Sequence, residues 1–230
     1  MFAHTTVNFQ GIAMPVSEIH LGIKAVSAPT RKAWRSWLAK NHEKENSVWL
    51  ILFRKTSSVP SIYYDEAVEE ALCFGWVDSK GNKRDEESSY LYFAKRKPKS
   101  NWSKANKDRV EKLTKQGLIM PAGQAMIDLA KKTGTWTALE VVDKLTIPPD
   151  MQKLFDKNKT AEKNFLAFPA STRRGILEWI LNAKRPETRQ KRIEETVTLA
   201  AQNIRANQYT KKWRIFALLP LSSHFTRLTA

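Results

Sequence analysis

Over residues 29–41, Trp34, Trp37, Leu38 and Asn41 fall three and four apart behind a Pro29-Thr30 start, and this spacing predicts an amphipathic helix. The period changes at Ser47. Val48 to Phe53 is an unbroken, β-rich apolar run that suits a buried strand, closed by the polar turn at 56–61. Asp65 and Glu66 then occupy the first turn of a second helix, where they favour its dipole. Val68, Ala71 and Leu72 share its apolar face, and Gly75 marks its end. Residues 76–80 and 90–94 read as two strands of an antiparallel hairpin, joined by a loop that contains Lys80-Gly81-Asn82 and Asp85 to Glu87.

Beyond Lys95 strand signals nearly vanish. Helical stretches are punctuated by Gly117, Pro121, Gly134, Pro148-Pro149, Pro169 and Pro186. Ser171 is a predicted cap for a helix over 172–184 that buries Ile176, Leu177, Trp179 and Ile180. Pro186 suits the first turn of the next helix, which carries Ile193, Val197 and Ala200, and together the two make a helical hairpin. The pattern predicts an α+β fold: an N-terminal small antiparallel sheet with helices, then a mainly helical C-terminal half. The double proline is the expected boundary, because it forbids helix continuation. That gives an extension over 1–28, an α+β domain over 29–147, a helical domain over 148–207 and a tail over 208–230.

Composition narrows the class. With 42% apolar residues and eight Trp in 230 residues, the chain folds rather than staying disordered. Its longest apolar runs are strand-sized, too short to span a bilayer. A single cysteine, Cys73, and four scattered His exclude an internal disulfide and zinc spacing. The absence of Lys or Arg before Lys24 argues against a signal peptide, so a reducing cytoplasmic location is expected. The net charge of +16 is uneven: residues 1–100 carry 15 basic against 11 acidic side chains, and residues 101–230 carry 24 against 12. Such a field attracts nucleic acid, anionic lipid or acidic ligands, and equally aids solubility.

Four segments, in order, resemble the YdeI/OmpD-associated family, also called bacteriocin-protection proteins: Trp34 to Leu38 with Val48-Trp49-Leu50; Ala67 to Asp78 (AVEEALCFGWVD); Ser100 to Gly123; and Phe168 to Arg192. The resemblance spans roughly 34–203. It implies a small cytosolic bacterial protein linked to bacteriocin protection or stress resistance, with no reaction assigned. Where the family usually has a Pro-Arg pair after the second hairpin strand, this chain has Ala94-Lys95-Arg96 and delays proline to Pro98.

Three groups of residues are candidates for chemistry. Trp76 and Asp78 alternate onto one strand face, an aromatic wall beside a carboxylate; the alternative is a core Trp and an Asp bonded to turn amides. Residues 95–115 hold nine basic against two acidic side chains. There Arg96, Ser100, Trp102, Ser103 and Asn106 surround a predicted helix start that suits a phosphate or carboxylate, unless Ser103 simply caps the helix. Lys184, Thr188 and Arg189 occupy the turn into the last helix and offer amides and a guanidinium to an anion, unless Arg189 pairs with Glu178 or Glu187.

The expectation is that Asp78, Ser103 and Arg189 enclose one basic cleft for a small anionic ligand or acidic partner. Nucleic acid stays open as a second partner, and an enzyme using Asp78 as general base as a third reading. No glycine-rich phosphate loop or nucleophile–base set is legible, so no cofactor, metal or catalytic residue is assigned. Cys73 reads as a buried small hydrophobe, and Glu69-Glu70 and Glu194-Glu195 as exposed helix positions. The tail, with Lys211, Lys212, Trp213, Arg214 and Phe216 ahead of Pro220, reads as packed or partly disordered rather than as a membrane-surface segment.

Overall fold

The computed structural model describes residues 17–207, so the N-terminal stretch read as lacking a signal peptide and the tail over 208–230 lie largely or wholly outside the described residues. The chain forms two compact units that divide between Leu139 and Glu140.

The first unit contains β1 (Ser17–His20), β2 (Ile23–Ser27), α1 (Arg31–Asn41), β3 (Ser47–Phe53), α2 (Tyr64–Cys73), β4 (Trp76–Lys83), β5 (Ser88–Lys95), α3 (Lys104–Lys115) and α4 (Pro121–Thr133). The strands form one sheet in the order β1-β2-β3-β5-β4. The α+β class expected from the pattern is observed, but the sheet is mixed rather than purely antiparallel: β2 runs parallel to β3, with α1 as the crossover. The described part of the expected extension, from Ser17 onward, belongs to the sheet, since β1 and β2 supply two of its five strands. They are joined by a two-residue turn at Leu21-Gly22, both at positive φ (51° and 75°).

One face of the sheet carries the main core. Val26, Val48, Leu50, Leu91, Phe93 and Trp76 pack there against Trp34 and Leu38 of α1 and Val68, Ala71 and Leu72 of α2. Trp34 donates its indole N–H to the Ala67 carbonyl at 3.1 Å, so its one polar atom is satisfied inside the core.

The opposite face buries Ala25, Trp49, Ile51 and Tyr90 by curling. Glu18 of β1 and Arg84, just past β4, begin at opposite edges of a five-stranded sheet, yet their charged groups meet at 2.9 Å. Asn82 likewise reaches the His20 ring at 3.1 Å, and that ring stacks on Tyr90 at 3.9 Å. A flat sheet with strands about 4.8 Å apart would hold these edges well beyond contact. The register slip between Asp78 and Gly81 is a bulge in β4, which adds the needed bend.

The Arg84 hydrogen bond, helped by that of Tyr90, holds the Glu18 carboxyl below the ordinary glutamate value despite partial burial. A lowered folded-state value contributes stability above the unfolded value, near 4.5, and that contribution disappears as pH falls through the folded value. Glu18→Gln is therefore expected to cost about 1 kcal/mol at pH 7, the discount reflecting partial exposure of the pair. In urea melts the difference from wild type should narrow as the pH is lowered from 7 to well below 4.5; an equal gap at both ends would remove the closure role.

The second unit comprises α5 (Glu140–Asp143), α6 (Pro149–Asp156), α7 (Lys159–Ala167), α8 (Ala170–Leu181) and α9 (Pro186–Ala201). Its core holds Met151, Phe155, Phe165, Ile176, Leu177, Ile180, Ile193 and Ala200, all essentially buried. The boundary precedes the double proline because α5 belongs with α8: Arg174 binds Asp143 at 2.9 Å and Glu178 at 2.7 Å. Pro149 opens α6 rather than a linker. α8 starts at Ala170, one residue before the expected cap Ser171, with Pro169 at the cap position. No helix among the described residues is long and apolar enough to cross a membrane.

Candidate functional site: a buried arginine beside a cavity

Glu69 and Glu70 are buried, at 7% and 2% exposure, which corrects the expectation of a solvated pair. Arg31 reaches both carboxylates, Arg35 binds Glu70 at 2.6 Å and Lys112 of α3 binds Glu69 at 2.8 Å. Burial works against ionisation of Glu69, but the Lys112 and Arg31 hydrogen bonds outweigh it and its carboxyl ends below the ordinary value. This network clamps α1 and α3 to α2. Glu70→Ala is expected to cost about 2 kcal/mol in a urea melt, below the range for a fully buried pair because both guanidinium groups are about a third exposed. Cys73 is fully buried on the same helix, and burial pushes its thiol up, as expected for an inert hydrophobe.

A different arrangement surrounds Arg96. β5 ends at Lys95, the Arg96 amide extends the ladder to the Gly75 carbonyl at 2.9 Å, and a turn through Pro98 folds the chain back so that Trp102 lies under the guanidinium. The guanidinium carbon sits 3.7 Å from the Trp102 ring centroid, and Nη2 donates to the Asn101 carbonyl. Arg96 is only 5% exposed. Its Nε carries no hydrogen bond, and among the described residues no carboxylate comes within ion-pair distance. Burial pushes it down to about 10, opposed by the more distant Asp78 charge, so it remains a cation at neutral pH. A buried charge without a counter-ion costs several kcal/mol, which a purely structural role would not call for.

Arg96 lines a cavity of about 340 Å³ together with His42, Glu43, Phe74, Gly75, Trp76, Lys95, Ala122 and Met126. Two glycines shape it. Gly75, at φ 73°, ends α2 where a Cβ would lie 2.9 Å from the Ala122 carbonyl, and Gly123 of α4 lies flat against the Cys73 carbonyl. The Met120 amide donates to that same carbonyl at 3.0 Å, fixing the start of α4 at the end of α2.

The residues expected at a site separate into groups. Trp76 is core, at 1% exposure, and borders the cavity, its indole N–H reaching the His42 carbonyl at 3.3 Å. Asp78 accepts from the Tyr64 hydroxyl at 2.9 Å; burial, then this bond, raises the Tyr64 phenol. Trp76, Asp78, Arg96 and Trp102 are thus neighbours in the first unit. Ser103 caps α3 by accepting from the Asn106 amide, the Asn106 side chain accepts from Arg109, and Ser100 donates to the Lys97 carbonyl. These three are used locally, as the capping alternative has it. Lys184, Thr188 and Arg189 belong to the second unit. Arg189 pairs through two bonds, 2.7 and 3.0 Å, with Asp150, a partner that neither alternative named. The Arg189 bonds hold the Asp150 carboxyl below its ordinary value. His42, Phe74, Met126 and Tyr64 were not singled out from the sequence, where nothing local separates them from core or surface positions.

Among the described residues no group of three or more His, Cys, Asp or Glu is placed to hold a metal ion. The fold and site define a two-unit α+β protein with an internal cation beside a cavity in its sheet-bearing unit. Residues 144–203, in the helical segment, match the family described as "Bacteriocin-protection, YdeI or OmpD-Associated". Residues 26–126, which include the first three resembling segments, match instead a domain of unknown function (DUF8412). No curated protein and no solved structure matches the chain.

Proposed function

We propose that this protein is a non-catalytic binding protein that holds a small anionic ligand in the cavity beside Arg96. The observation that carries the reading is the buried guanidinium of Arg96, with an unbonded Nε and no carboxylate partner among the described residues, in a residue that lines a cavity within the usual size range for small-molecule sites. A bound anion supplies the missing counter-charge through charge-assisted hydrogen bonds, and it does so where low polarity strengthens them. Native mass spectrometry of freshly purified wild type and Arg96→Met tests this. The expected result is an anionic adduct on the wild type that the variant lacks; an adduct of equal occupancy on both would place the ligand elsewhere and overturn the reading.

A further inference from the structure

The charge available at the cavity wall limits what can bind there. Lys95 also borders the cavity, but its ammonium is engaged by the Glu43 carbonyl at 2.8 Å and the Asn46 side-chain oxygen at 3.3 Å. His42 turns Nδ1 to the Leu38 carbonyl at 3.0 Å; a carbonyl only accepts, so Nδ1 is the donor in this contact. The Glu43 carboxylate stands at the rim, 3.8 Å from Nε2 of His42, adding negative charge. Asp78 already offsets part of the Arg96 field. The wall thus holds two cations of different standing: Lys95, tied to neutral acceptors, and the buried Arg96, whose Nε has no hydrogen-bond partner among the described residues. The remaining lining is apolar: Phe74, Trp76, Ala122 and Met126, with Phe74 and Trp76 almost fully buried.

Resting on the anion-binding reading above, we infer that the ligand is an amphiphilic monocarboxylate, its planar carboxylate on Arg96 and a compact apolar body against Phe74, Trp76 and Met126. The planar fork of arginine matches a carboxylate edge to edge. A phosphate dianion brings a second charge that the Lys95 ammonium meets only by giving up its bonds to Glu43 and Asn46, and burying that charge uncompensated is costly. Acetate satisfies the charge but leaves the apolar wall wet, forgoing the gain from covering it.

Isothermal titration of the full chain with phenylacetate, acetate, phenyl phosphate and inorganic phosphate separates these classes. Phenylacetate is expected to bind at least tenfold more tightly than acetate and than either phosphate, and to lose at least tenfold in Arg96→Met. Arg96→Lys, which keeps the charge but loses the fork, should fall between the two. Tighter binding of phenyl phosphate or inorganic phosphate, still lost in Arg96→Met, would overturn the monocarboxylate class and leave the anion site standing. Binding of all four compounds undiminished in Arg96→Met would overturn the site itself.

Discussion

Arg96→Met is expected to abolish anion binding while leaving the unliganded protein as stable as the wild type, or more so. Removing one partner of a buried charge-assisted contact costs about 2–5 kcal/mol of binding, roughly thirty-fold to several thousand-fold in affinity. The unliganded protein loses only the Asn101 bond and the stacking on Trp102, and methionine's flexible thioether can occupy the same place on the ring. Against these losses stands relief from desolvating a cation that no carboxylate among the described residues pairs with, Asp78 acting only from a distance, and replacing buried charge by apolar volume is often neutral or stabilising. A structural clamp would behave in the opposite way, with a clear fall in melting temperature and no change in ligand affinity. Thermal melts and titrations on the same two proteins distinguish these outcomes.

Gly123→Ala is the second large effect. In an ordinary helix interior this change gains about 1 kcal/mol. Here the added methyl would sit 2.3 Å from the Cys73 carbonyl oxygen and 2.8 Å from that of Leu72, both backbone atoms that no rotamer change can move aside. α4 must then shift off the end of α2, at a cost of about 3 kcal/mol or more. For a chain of this size that lowers the melting temperature by roughly 6–12 °C. Because Ala122 and Met126 of α4 border the cavity, anion affinity should fall with it. A melting temperature unchanged or raised in Gly123→Ala would show that α4 is not seated on α2 as described.

The elements that announced themselves in the sequence are those with a long or unbroken apolar pattern. Trp34 and Leu38 in α1, the run from Val48 to Phe53 in β3 and the face of Ile176, Leu177 and Ile180 in α8 each carry their burial in their own spacing. β1 and β2 did not, because SEIH and IKAVS are only four and five residues long, the first with no buried residue and the second with just Ala25 and Val26 buried, so neither presents a periodic face. Glu69 and Glu70 misled for a different reason. Their burial is created by Arg31, Arg35 and Lys112, some 35 to 43 residues away, and no local rule anticipates partners at that distance.

The candidate site was half legible. Arg96 and Trp102 stood out as a basic residue and an aromatic in one stretch, and Trp76 and Asp78 as neighbours on one strand face. The solitude of the Arg96 charge was not readable, since it depends on where the turn at Pro98 aims the side chain. The capping role of Ser103 and the Asp150 partner of Arg189 show the opposite outcome, in which polar residues at helix ends are consumed by the fold itself.

The most direct test of the anion site observes the Arg96 side chain. In ¹⁵N spectra of the arginine Nε–H groups, the Arg96 signal is identified by its loss in Arg96→Met, and its position is followed while phenylacetate is added. A saturable shift of that one signal is the predicted result. A signal that stays in place up to saturating concentrations of every anion tried would contradict the account, and Arg96 would then be a structural cation that the fold tolerates without a ligand.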